Sequence, residues 1–88
     1  MITIWKFPLV MADLQEIRMP HGAEIRSLQA QYGEPQLWAE VDTEQKMIYR
    51  RFRMFRTGYP ITKSQSEILD FVGTFQTGNF VFHVYESR

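Results

Sequence analysis

Apolar and polar residues alternate with period two along most of this chain. Turn-forming residues interrupt the alternation every ~8–12 residues, the spacing of a small all-β sandwich or barrel. Ile2 to Phe7 reads as a first strand and stops at Pro8, which has no N–H to give a ladder. Leu14 to Met19 reads as a second, closed by Pro20 and Gly22. A third runs from Ala23 to Gln31. Its apolar phase slips between Ile25 and Leu28, which predicts a β-bulge near Arg26 and Ser27.

Tyr32-Gly33-Glu34-Pro35 predicts a turn, because Gly33 accepts positive φ and Pro35 restricts its predecessor. Gln36 to Asp42 and Met47 to Arg56 follow as strands, separated by the loop 43–46, and Thr57-Gly58-Tyr59-Pro60 ends the second of them. Phe71 to Gln76 and Phe80 to Glu86 predict a closing hairpin across Thr77-Gly78-Asn79. One short helix is open near residues 65–70, where Ser64 and Glu67 have capping-box spacing; plain loop is the alternative. The expected fold is a compact antiparallel sandwich or open barrel of six to seven strands, one all-β domain over residues 1–88.

Side-chain facing follows if loop 43–46 closes a hairpin. Val41 then sits opposite Ile48, Ala39 opposite Arg50 and Leu37 opposite Phe52, an apolar core face with Arg50 as its one misfit. The other face pairs Glu40 with Tyr49, Trp38 with Arg51 and Gln36 with Arg53. A Trp and a Tyr beside two arginines fit either a cross-strand cation–π pair worth ~0.5–1 kcal/mol or a binding surface, where Trp, Tyr and Arg supply most hot spots. In the last hairpin Phe75 is expected opposite Phe82, Gly73 opposite Val84, Thr74 opposite His83 and Val72 opposite Tyr85. Gly73 leaves room there for a neighbouring ring.

Composition adds size and charge. The chain has 88 residues, 15% of them aromatic, no cysteine and a formal net charge of zero. Such a composition excludes a disordered chain, a disulfide-stapled miniprotein and a Cys-ligated zinc finger. The neutrality hides segregation. Residues 46–63 carry six basic side chains and no acid, whereas residues 1–45 carry seven acids against three bases. Three roles are open to this basic strand. Its arginines can pair with Glu40, Asp42 and Glu44 across the loop, at ~0–1 kcal/mol per surface pair. They can bind phosphate, with aromatic neighbours stacking a base. They can also meet an acidic surface on a partner protein or on a second copy of this chain. The acidic remainder of the chain opposes duplex nucleic acid.

No HExxH, GxSxG, P-loop or GxGxxG occurs, and no enzyme is expected. His21 and His83 offer no metal-ligand spacing, Glu40, Asp42 and Glu44 lack the spacing of a cation loop, and no cofactor or metal is expected. Thr57 and Gly58 end the basic strand, where backbone N–H groups could approach an anion held by Arg53 or Arg56. The candidate ligand or partner site is therefore Trp38, Tyr49, Arg51, Arg53, Arg56, Thr57 and Gly58. No run approaches the ~20 apolar residues of a membrane span, and the first ten residues lack the basic and apolar regions of a signal peptide. A cytoplasmic protein with no membrane contact is the expectation.

Several short blocks carry a resemblance: Ile4-Trp5-Lys6-Phe7-Pro8-Leu9, Met19-Pro20-His21-Gly22-Ala23, Leu37-Trp38-Ala39-Glu40-Val41-Asp42, Phe55-Arg56-Thr57-Gly58, Val72-Gly73-Thr74-Phe75 and Phe82-His83-Val84. They resemble a small family of bacteriophage and prophage proteins. The resemblance transfers no catalytic residues. It implies a phage-encoded accessory protein in the host bacterial cytoplasm, acting against host defence by sequestering a nucleotide signal or blocking a host protein. The alternative is a structural or virion-associated component that self-assembles. A homo-oligomer is expected under either.

Overall fold

Where the chain turns decides which strands become neighbours. The computed structural model describes residues 1–88. Its elements are β1 (Ile2–Pro8), β2 (Leu14–Pro20), β3 (Glu24–Gln31), β4 (Glu34–Asp42), β5 (Met47–Arg56), α1 (Lys63–Ile68), β6 (Leu69–Thr77) and β7 (Phe80–Ser87). They form two antiparallel sheets, β1-β4-β3 and β2-β5-β7-β6. The fold is an all-β sandwich with one short helix and no closed barrel.

Only two sequential pairs are hairpins. β3 and β4 turn through Tyr32 and Gly33, both at positive φ (52° and 79°), as a two-residue type I′ turn requires. Glu34 and Pro35 already belong to β4, so the turn is shorter than the proline suggests. β6 and β7 turn through Gly78, at φ 57°, and Asn79.

Loop 43–46 does not close a hairpin. It carries the chain from one sheet to the other, so β4 pairs with β1 (Val41 with Thr3) and β5 pairs with β2 (Ile48 with Met19). A loop of that length serves a hairpin or an arch equally well. The facing nevertheless holds, because both strands turn the same alternate positions inward: Leu37, Ala39, Val41 and Phe52 are all buried. They meet across the core instead of along a ladder. Phe7, Met19, Leu28, Met54, Phe75 and Val84 complete most of that core.

Arg50 points inward with them. Its guanidinium makes two bonds to the Glu86 carboxylate, from Nε at 2.5 Å and Nη2 at 2.7 Å, and Nη1 donates to the Ala23 carbonyl at 2.6 Å. The misfit of the core face is thus a bidentate ion pair between β5 and β7.

The bulge in β3 falls between Ile25 and Ser27, as the slipped phase predicts. A second lies in β6 between Phe71 and Gly73, so Phe71, and not Val72, pairs with Tyr85. Beyond it the expected pairs hold: Gly73 with Val84, Thr74 with His83, and Phe75 with Phe82, whose rings stack at 5.5 Å. The space over Gly73 is filled by Leu28 of the opposite sheet and not by a ring: a Cβ there would lie 3.0 Å from the Leu28 Cβ. The helix starts two residues earlier than the Ser64 cap implies. Thr62 is its N-cap, accepting from the Gln65 N–H at 3.1 Å, while the Gln65 side chain accepts from the Thr62 N–H at 3.0 Å.

Gly73→Ala is expected to destabilise by ~1–3 kcal/mol through overpacking, read as a lower Tm. Adding Leu28→Ala deletes the 3.2 Å contact to Cδ2 but keeps the 3.0 Å approach of Cβ, so the double variant should lose only somewhat less than the two single losses combined. Glu86→Ala strands the Arg50 charge and should cost ~1.5–3 kcal/mol in urea unfolding.

Candidate functional site

Alternation along β5 sends Tyr49, Arg51, Arg53 and Phe55 to the outer face of the four-stranded sheet. The register adds Arg18, Glu16 and Leu14 of β2, which pair with Tyr49, Arg51 and Arg53. On the other side Tyr85 pairs with Arg53 and His83 with Phe55, and Phe71 of β6 pairs with Tyr85. Three rings form a row across the strands: Phe55 and Tyr85 meet edge-to-face at 5.7 Å, and Tyr85 and Phe71 at 5.3 Å. Tyr49 stands 68% exposed and Phe71 60%. The Arg18 guanidinium lies 6.0 Å from the Tyr49 ring centroid.

The arginines of this face are unpaired. Every ion pair in the structure involves Arg26, Arg50, Arg88 or the Met1 amino group. Arg18, Arg51 and Arg53 have none, although Glu16 sits opposite Arg51 in the register. Where β7 ends, a notch of about 340 Å³ opens beside Arg51, with Tyr49, Arg50 and Arg88 also on its walls. Arg50 and Arg88 are neutralised there by Glu86 and Asp70. Arg51 is the cation left with donors to offer.

Of the acids expected to quench the ridge, Glu40 and Asp42 are used elsewhere and Glu44 forms no ion pair. Glu40 pairs with Arg26 at 3.3 Å. Asp42 accepts the Glu44 N–H at 3.1 Å and lies 3.4 Å from the Met1 amino group. Neither meets an arginine of β5, because the arch puts them in the other sheet. No three His, Cys, Asp or Glu side chains converge as a metal site would need.

Trp38 is separated from the ridge for the same reason. It lies half-buried on the outer face of the three-stranded sheet, with the Lys6 Nζ 5.7 Å from its ring. The Trp38–Arg51, Glu40–Tyr49 and Gln36–Arg53 pairs do not form, and Gln36 is buried. Arg56 belongs to the inward set of β5 positions and packs between Tyr59 (4.6 Å) and Phe80 (5.1 Å). Thr57 Oγ1 donates to the Val81 carbonyl and lies 2.7 Å from His83 Nε2, while Thr74 Oγ1 lies 2.9 Å from Nδ1. The ring thus links the residue after β5 to β6 across β7. Gly58 takes φ 91° in the turn that closes from the Tyr59 N–H to the Arg56 carbonyl. The Thr57 N–H is engaged by the Val81 carbonyl.

The structure therefore brings together Tyr49, Arg51 and Arg53. It sets Arg56 and Gly58 at the end of the strand and Trp38 on the opposite side of the sandwich. It adds Arg18, Phe55, Phe71 and Tyr85. Phe55 was readable, since it continues the odd-numbered series from Tyr49. Arg18 needed the β2–β5 pairing, and Phe71 needed the bulge.

The carboxyl of Asp42 is held below its usual 3.8, first by the Glu44 N–H and further by Gln45 and the Met1 amino group. A depressed folded value means that its stabilisation is present at neutral pH and is lost as pH falls through that value. Asp42→Asn should lower Tm at neutral pH, with parent and variant converging on acidification.

Residues 1–88 match a family described as a domain of unknown function, DUF7352, and the chain belongs to it. No curated protein and no solved structure matches the chain. No helix is long and apolar enough to cross a membrane.

Proposed function

We propose that this DUF7352 protein is a non-enzymatic binding protein that takes a phosphate-bearing, nucleotide-like ligand on the outer face of its four-stranded sheet. One observation carries the reading: three arginines without counter-ions, Arg18, Arg51 and Arg53, surround exposed aromatic rings on one face. A guanidinium fork matches phosphate oxygens, and a flat ring accepts any base, with stacking worth ~1–3 kcal/mol. Arg51 beside the notch takes the phosphate, and Tyr49 or Phe71 stacks the base. Burying three unpaired arginines against a neutral partner would cost more than it returned, so the ligand is anionic.

The blocks resembling phage and prophage proteins supply a setting. There the protein is a phage-encoded accessory factor that removes a nucleotide signal of host defence, in the host cytoplasm. Capture of an acidic host protein would use the same arginines. A second reading, self-assembly, is favoured by the other outer face, where Ile2 and Ile4 stand exposed opposite Asp42 and Glu40.

A thermal-shift screen of mononucleotides and cyclic dinucleotides tests the first reading. A ligand at 100 times its Kd adds ~2.7 kcal/mol, about 10 °C or more in Tm for a domain this small. Arg51→Ala with Arg53→Ala should abolish the shift while leaving the unliganded Tm within a few degrees. No shift with any nucleotide, together with sedimentation that rises with protein concentration and falls with salt, would replace ligand capture by self-assembly.

A further inference from the structure

The outer face leaves one end of the sandwich unexplained. Beyond the reach of the three-stranded sheet, the inward side of β5 and β7 borders a cleft of about 320 Å³. Met54, Phe80 and Phe82 line it from the strands, and Met11 and Tyr59 from the flanking segments. Met11, Tyr59 and Phe80 are each more than half exposed, as is neighbouring Val10. Apolar side chains so grouped leave hydrophobic surface in water at a cost that a ligand would remove.

Two opposite charges line this cleft without meeting. Arg56 packs against the Tyr59 and Phe80 rings and Asp13 sits in the connection before β2, yet neither belongs to any ion pair. The arginine side chains that hydrogen-bond within the protein are Arg26, Arg50 and Arg88. The donors of Arg56 are therefore free, and the rings hold its guanidinium in place. An apolar cavity at the lower end of the range for small-molecule sites, with a fixed cation and a separate anion, complements an apolar molecule carrying both charges.

We propose that this cleft binds a hydrophobic α-amino acid, with its carboxylate on Arg56, its ammonium on Asp13 and its side chain among Met11, Met54, Phe80 and Phe82. A bidentate guanidinium–carboxylate contact fixes the orientation. The site is distinct from the arginine face, since inward and outward residues of β5 lie on opposite sides of its sheet, and it stands whether or not that face binds nucleotides.

The test is a nuclear magnetic resonance titration of the ¹⁵N-labelled full chain with L-phenylalanine and L-leucine. Shifts are expected at residues 11–13, 56–59 and 80–82. Phenylalaninamide, lacking the carboxylate, and 3-phenylpropionate, lacking the ammonium, should each bind about tenfold or more weakly, the loss of one charge-assisted contact. Arg56→Gln should weaken L-phenylalanine to the same degree. Asp13→Asn, an exposed change that the fold tolerates, should weaken L-phenylalanine but leave 3-phenylpropionate unchanged or tighter. No shifts with millimolar amino acid, or equal binding of all three phenylalanine analogues, would overturn the proposal.

Discussion

A cation on the inner face of a β-sandwich has to be neutralised where it stands, and the bond from Arg50 to Glu86 does that. Two of its hydrogen bonds join β5 to β7, and the third reaches Ala23 just before β3 begins in the opposite sheet. The same guanidinium thus fixes a sheet and pins one sheet to the other. Both partners retain only about a fifth of their side-chain exposure, so water competes weakly for the bonds. The consequence reaches the surface. Glu86, which follows the last outward ring of β7, is committed to the interior, and the outward arginines of β5 keep no acid from that strand.

The strands' outlines and facings were legible because both follow from period-two alternation, which is local. Neighbours were not, because alternation says which side of a strand is buried and nothing about what lies beside it. Loop 43–46 shows the difference. Leu37, Ala39, Val41 and Phe52 are buried as their pattern demands, while every pair drawn across that loop is replaced by a pair with β1 or β2. The two bulges divide likewise. A phase slip of apolar residues marks Arg26, whereas Phe71 and Val72 are adjacent and apolar, so either could take the outward place. For the helix, Thr62 with Gln65 and Ser64 with Glu67 share one spacing, and sequence alone has no means of ranking them.

The candidate site suffered most from that missing information. A tryptophan-and-arginine patch drawn on one ladder became two patches on opposite sides of the slab. What remained of it gained from the same topology. Removing Asp42 and Glu40 to the other sheet left Arg51 and Arg53 without counter-ions. Two of the four sheet edges, β3 and β6, carry a bulge that blunts chance pairing, and the other two, β1 and β2, each end in a proline. β1 is straight up to Pro8 and carries Ile2 and Ile4.

The scarcity of hairpins has a consequence in time. Only β3–β4 and β6–β7 join neighbours in sequence, one in each sheet, and every other pairing closes a longer loop before it gains contacts. Loop closure loses entropy before pairing compensates, so folds of this kind form in milliseconds to seconds and not microseconds. The two hairpins meet where Leu28 lies on Gly73. Whichever forms first must wait for the other with its apolar side open, and chains emerging together from a ribosome would find each other's open sides in that interval.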